Sequence, residues 1–141
     1  IIDLTCGMTG SAIPVPQAVK QALDAGVPLE RLTLSSDGNG SMPKFNENNE
    51  LIGLTAAAPR YLYEEMLSIV KAGVLPFDKA LQLITCNVAD ALKLEDKGRI
   101  AVGKDADVIV WNDDLTLNKV FARGRLMVDE GQAVVKGTFE N

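Results

Sequence analysis

The stretch LERLTLSSDGNG, residues 29–40, decides how this chain is read. Leu32 and Leu34 alternate with polar neighbours until Ser36-Asp37-Gly38-Asn39-Gly40 breaks the pattern, which predicts a strand running into a sharp loop. Upstream, IIDLT (1–5) is an apolar, β-branched run, separated by a Gly/Thr/Ser/Pro loop from PVPQAVKQALDAG (14–26). In that second segment Val15, Val19, Ala22 and Leu23 recur at helical spacing. Pro14 and Pro16 suit a first turn, and Gly26 supplies a left-handed stop. Residues 1–36 therefore read as one βαβ unit. A right-handed crossover of this kind implies a parallel sheet, either covered by helices on both faces or closed into a barrel.

Downstream, KFNENNE (44–50) reads as a polar connection, and APRYLYEEMLSIVKAG (58–73) reads as a helix with Leu62, Met66, Ile69 and Val70 on its apolar stripe. Pro76 sits at the start of a second helix through FDKALQLIT (77–85), and Asn87 is expected to cap a third through VADALKL (88–94). From Gly98 the texture changes to short β-branched runs, GRIAVG (98–103), ADVIVW (106–111) and NKVFARGRLMVDEGQAVVKG (118–137), read as strands joined by hairpins at Gly124 and at Asp129-Glu130-Gly131. The fold class expected is α/β, with parallel βα character over 1–97 handing over to a small antiparallel β region over 98–141. Two parallel strands can neither close a barrel nor avoid unpaired edges. The chain is therefore expected to be the carboxyl-terminal slice of something larger, and weakly stable unless it associates.

The 141 residues carry 14 Lys+Arg against 19 Asp+Glu, a net charge of −5, with no basic block of the kind nucleic acid selects. No apolar run approaches the ~20 residues of a membrane helix, and the amino end lacks a basic-then-apolar signal pattern. A cytoplasmic protein binding neither nucleic acid nor membrane is expected. The histidine count is zero, so no Ser-His-Asp triad, Cys-His pair or His-ligated zinc can be assembled from these residues alone. Cys6 and Cys86 match no CxxC spacing and are expected to be reduced and half-buried. Any chemistry must rest on carboxylates, hydroxyls or groups supplied from outside the chain.

In α/β sheets and barrels the reactive groups lie on loops beyond the carboxyl ends of the strands. Asp37 occupies that place, with glycines that allow close backbone approach and a hydroxyl at Ser41. The same residues are the commonest turn-formers, and on composition alone a simple turn is the favoured account of them. The loop Cys6-Gly7-Met8-Thr9-Gly10-Ser11 shares the rim and reads as a pocket wall or a plain connector, and no GxxxxGK[ST] phosphate loop is present. Asn39-Gly40-Ser41 fits a glycosylation sequon only incidentally. Tyr61, Tyr63, Glu64 and Glu65 are read as a solvated helix face, and Trp111 as core.

With Asp37 at a strand end, then ALQLITCNVADALKL (80–94) and KGRIAVGKDADVIVWN (97–112), the chain resembles the carboxyl-terminal third of an amidohydrolase-superfamily enzyme. More narrowly, LTLSSDGNGSMPKFNENNELIGL (32–54) resembles the isoaspartyl (β-aspartyl) dipeptidases, cytoplasmic zinc enzymes. The resemblance implies that residues 1–97 are the last βα units of a (β/α)₈ TIM barrel and residues 98–141 part of a small β-sandwich domain. It further implies that Asp37 is a metal-bound carboxylate that passes a proton from water to the leaving amine, and that Ser41 contacts a small β-aspartyl dipeptide substrate. Two zinc ions are implied for the complete enzyme, itself a homo-oligomer. The family's histidine ligands, carboxylated lysine and substrate-binding arginines fall on strands absent here. No metal is expected on this chain alone, which is expected to be inactive by itself. Two other readings remain: an amidohydrolase acting on cyclic amides or N-acyl amino acids, and a non-catalytic scaffold domain.

Overall fold

Strand β1 (Ile2–Thr5) and strand β2 (Leu32–Ser35) pair in parallel with Ile2 opposite Leu32 and Thr5 opposite Ser35. The coordinates are a computed structural model that describes residues 1–8 and 13–137. Thr9, Gly10 and Ser11 of the first loop lie outside the described residues. The crossover is helix α1 (Val15–Asp24), whose amino end carries Pro14 and Pro16 where no intrahelical N–H is needed. Its carboxyl end closes as the sequence predicts. Gly26 adopts φ +82°, its N–H reaches the Leu23 carbonyl, and the Val27 N–H reaches back to Ala22.

Helix α2 (Tyr61–Lys71) ends in the same motif, with Gly73 at φ +69°, its N–H on Val70 and the Val74 N–H on Ile69. Two short helices follow, α3 (Phe77–Gln82) and α4 (Cys86–Leu92). The buried core gathers Val15 and Val19 of α1, Leu32 and Leu34 of β2, Met66 and Ile69 of α2, Ala80 of α3, and Cys6 and Leu83. The helix stripes read from spacing thus cover one face of the parallel pair. Thr33 is buried as well. Its hydroxyl donates to Asp3 at 2.7 Å, and Ser35 donates to the same carboxylate at 2.5 Å.

Three elements depart from the sequence reading. The polar connection is the turn of an antiparallel hairpin, β3 (Ser41–Phe45) with β4 (Leu51–Ala56). Asn46 Oδ1 accepts from the Asn48 and Glu50 amides at 2.9 Å each, and Asn49 takes φ +61°. Asn87 does not cap α4 but lies inside it, buried. GRIAVG forms no strand: Ile100 and Val102 are fully or mostly exposed, and the segment turns at Gly103 (φ +85°). No described strand lies alongside to supply a hydrogen-bonding ladder.

The chain divides into two compact units, Ile1–Lys93 and Leu94–Asn141. The second is an antiparallel meander of β5 (Val108–Trp111), β6 (Leu117–Ala122), β7 (Arg125–Asp129) and β8 (Gln132–Ala133). Its two tight hairpins match the sequence reading. Arg123-Gly124 and Glu130-Gly131 each place two successive residues at positive φ, the geometry whose twist suits a two-residue turn. Lys97 bridges Asp105 and Asp107 at 2.7 and 2.5 Å, and the Arg123 amide caps Asp107.

Candidate active site

The loop leaving β2 is built by exchange with the far end of the β3–β4 hairpin. The Asn39 amide donates to the Ala57 carbonyl and the Ala57 amide donates to Gly40, both at 2.9 Å, extending the ladder past Ser41 and Ala56. The Gly40 amide closes a turn on the Asp37 carbonyl at 2.8 Å. Within this turn Asp37 and Asn39 both take left-handed backbone, φ +48° and +66°. Short polar side chains are the ones that accept that conformation outside glycine. Gly40 is required for a different reason. A Cβ there would stand 2.8 Å from the Asp37 carbonyl oxygen and 3.0 Å from both Cγ and Oδ1, so the aspartate side chain occupies the space a larger residue would need.

Asp37 is exposed at the carboxyl end of a parallel strand, and among the described residues no Lys or Arg pairs with it. Ser41, also exposed, opens β3 directly after the loop. The two residues singled out from sequence therefore sit at opposite ends of one short loop, Asp37 opening its turn and Ser41 following it. Asp3 was not singled out. It precedes a strand end in an ordinary apolar run, and only the pairing of β1 with β2 puts its carboxylate against the Thr33 and Ser35 hydroxyls.

Gly7, on the loop after β1, carries φ +74°, and the Tyr61 ring lies over it. Gly7, Met42, Pro43, Lys44, Thr55 and Tyr61 line an open cleft of about 250 Å³. Tyr61, read from sequence as part of a solvated face, is thus a wall residue, while Arg60 and Glu64 pair on the outside of α2 at 3.3 Å. Cys6 is fully buried rather than half-buried. Burial pushes its thiol up to about 12, with the charges of Glu65 and Asp3 adding to the shift. A thiol so placed is neither nucleophile nor metal ligand at neutral pH. Trp111 is half-buried in β5.

As a metal site the arrangement offers one carboxylate. No group of three or more His, Cys, Asp or Glu side chains among the described residues is placed to hold an ion. No helix among the described residues is long and apolar enough to cross a membrane.

Residues 14–131 match the amidohydrolase family. The structure is similar to that of a β-aspartyl dipeptidase from Fervidobacterium islandicum AW-1 solved with β-Asp-Leu: the TM-score is 0.81 at 30% identity, covering 97% of this chain and 35% of that one. Among curated relatives, adenine deaminase 1 of Carboxydothermus hydrogenoformans is 28% identical over 72% of this chain and 17% of its own length. An imidazolonepropionase of Anaeromyxobacter sp. is 35% identical over 65% and 18%. The chain therefore spans about a third of the solved dipeptidase and under a fifth of these two relatives. The architecture is α/β, the carboxyl-terminal portion of a (β/α)₈ barrel followed by part of a small β domain.

Proposed function

We propose, from the premise that this chain belongs to the amidohydrolase family, that it supplies the last barrel strands and the small β domain of a hydrolase cleaving the isopeptide amide of β-aspartyl dipeptides. In this reading residues 1–97 are the barrel part and 98–141 the sandwich part. The observation that carries it is Asp37, exposed and free of cationic partners among the described residues, on the loop where such barrels hold their reactive groups. The likeness to the dipeptidase solved with β-Asp-Leu supports the substrate class.

Asp37 is given two tasks. Its carboxylate takes the proton of the attacking water and returns it to the departing amine, work a carboxylate does and an arginine does not. It also provides one ligand to the metal that family members usually use, here proposed as two zinc ions completed by residues outside this chain. Such ions, when bound, bring the pKa of a water toward neutrality and polarise the scissile carbonyl. Ser41, at the start of β3, donates a hydrogen bond that orients the dipeptide. A homo-oligomeric complete enzyme belongs to the same reading.

The test is turnover of β-aspartyl-leucine by the complete enzyme and its Asp37→Asn variant. General acid–base assistance contributes about 10²–10⁴ in rate, so the variant should lose at least that much. Near-normal turnover would remove Asp37 from the chemistry. The deaminase and imidazolonepropionase relatives favour a second reading, an amidohydrolase acting on a ring substrate. Cleavage of a cyclic amide together with inertness toward β-aspartyl-leucine would establish that alternative.

A further inference from the structure

Among the described residues two polar side chains are buried, Thr33 and Asn87. Thr33 is explained by the carboxylate of Asp3 beside it. Asn87 lies within α4 and is 3% exposed, yet its Nδ2 donates to two backbone carbonyls far away in sequence, Leu29 at 2.8 Å and Leu32 at 2.9 Å. Just before α4, the Leu83 carbonyl accepts the Leu34 amide at 3.0 Å. Alternate residues of a strand turn their N–H and C=O groups to opposite edges. Ser35 faces β1, since its carbonyl accepts the Cys6 amide at 2.7 Å, so Leu32 and Leu34 face the other edge. The α3–α4 corner therefore meets that edge of β2 at Leu32 and Leu34. The expectation that this edge would stand unpaired does not hold over Leu32 and Leu34.

Apolar packing would hold the α3–α4 corner against β2 without any polar burial, and Leu83, buried in the same core as Leu32 and Leu34, already does so. What the amide adds is register. One carbonyl belongs to the turn before β2 (Leu29–Arg31) and the other to the first residue of the strand, so a single NH₂ group ties α4 to the start of the strand. The strand runs extended at about 3.3 Å per residue from Leu32 to Ser35, two residues short of Asp37, so an axial slip at its start is passed along it toward that loop.

Resting on the function proposed above, we infer that Asn87 is a positioning residue, setting the axial placement of β2 and through it the point from which Asp37 acts. Displacements near 1 Å cost on the order of 10² in rate where geometry is catalytic.

The experiment is a double-mutant cycle in the complete enzyme with β-aspartyl-leucine as substrate. Asn87→Asp keeps the shape and removes both donated bonds, while Asn87→Ser keeps one hydroxyl donor on a shorter arm. Each is assayed below its own melting transition, so that the folded enzyme is measured. Asn87→Asp should lower kcat about 10- to 100-fold with KM held within about twofold, and Asn87→Ser should fall between it and the parent. In the Asp37→Asn background, the same changes should cost less than about twofold further, because the residue they act through is gone. A normal kcat in folded Asn87→Asp or Asn87→Ser, accompanied only by a lower melting temperature, overturns the inference, as does full additivity in the cycle. If Asn87→Asp does not fold, the Asn87→Ser arm of the cycle decides alone. Unimpaired turnover by Asp37→Asn itself would instead refute the underlying function, and the same data set reveals which has failed.

Discussion

Gly7→Ala is the perturbation whose cost the structure defines best. Gly7 holds φ +74°, where an L-residue loses about 1–2 kcal/mol relative to the right-handed conformation. The new Cβ would also stand 2.3 Å from Tyr61 Cδ2 and 2.8 Å from Cε2 and Cγ, distances at which something must move. The ring has little freedom to do so. The contact involves its near edge rather than a flexible tip, Tyr61 begins α2 with its amide on Ala58 at 3.0 Å, and the side chain packs against the core. Forcing a methyl into such a place costs about 1–3 kcal/mol, so the two terms together predict roughly 2–5 kcal/mol. At about 4 °C per kcal/mol for a chain of this size, the melting temperature should fall by roughly 8–20 °C. The denaturant midpoint should shift with no change in its m-value. Tyr61→Ala separates the contributions, since in its background Gly7→Ala should retain only the backbone term. A coupling of about 1–3 kcal/mol is therefore expected from the cycle. A loss under about 0.5 kcal/mol, or an equal loss with and without the Tyr61 ring, would refute the reasoning.

Ser41→Ala should raise KM for β-aspartyl-leucine more than it lowers kcat, as expected for a bond made equally in ground and transition states; an unchanged KM would leave Ser41 as the first residue of β3 and nothing more. Iodoacetamide at pH 8 should label half-buried Cys86 in the native protein and reach buried Cys6 only after unfolding, and native labelling of both, followed by mass spectrometry, would contradict the burial described. Because the Cys6 thiol is pushed up to about 12, the native state keeps a proton that the unfolded chain releases above 9.0, so stability should decline as pH climbs past that value. In the β5–β8 unit, hydrogen bonding to Lys97 is the first cause holding the Asp105 and Asp107 carboxyls below their usual range, and the same bonds raise Lys97. The carboxylate contribution is present above the ordinary value of 3.8 and is lost as pH falls through the lowered ones. The Lys97 contribution is complete below 10.5 and is lost as pH rises beyond the raised value. Lys97→Met should therefore flatten the acid limb of the melting-temperature profile, and an unaltered limb would show the cluster to be inconsequential.

What could be read from the sequence and what could not divide along a physical line. Gly26 and Gly73 announce helix ends because the closing bonds reach only from C″ back to C3, and Gly124 and Gly131 announce hairpins because the turn residues alone must carry positive φ. The β3–β4 hairpin is silent by comparison. Pro43 and Gly53 sit inside its strands, and β4 is exposed along its whole length, so no apolar alternation marks it. The GRIAVG segment errs the other way, presenting a strand-like composition with no described ladder partner. For the site, Asp37 is visible as the residue that ends an alternating run, but its left-handed backbone and its dependence on a bare Gly40 are not. Asn87 is hidden most completely. Polar, and placed where a helix begins, it invites a capping role, while its real partners lie 55 and 58 residues away. A cap is satisfied within its own helix, whereas a bond to a distant strand constrains where that strand sits. The residues least legible from local rules are therefore those that bind one element's position to another's, and a reactive carboxylate at a strand end depends on that positional information.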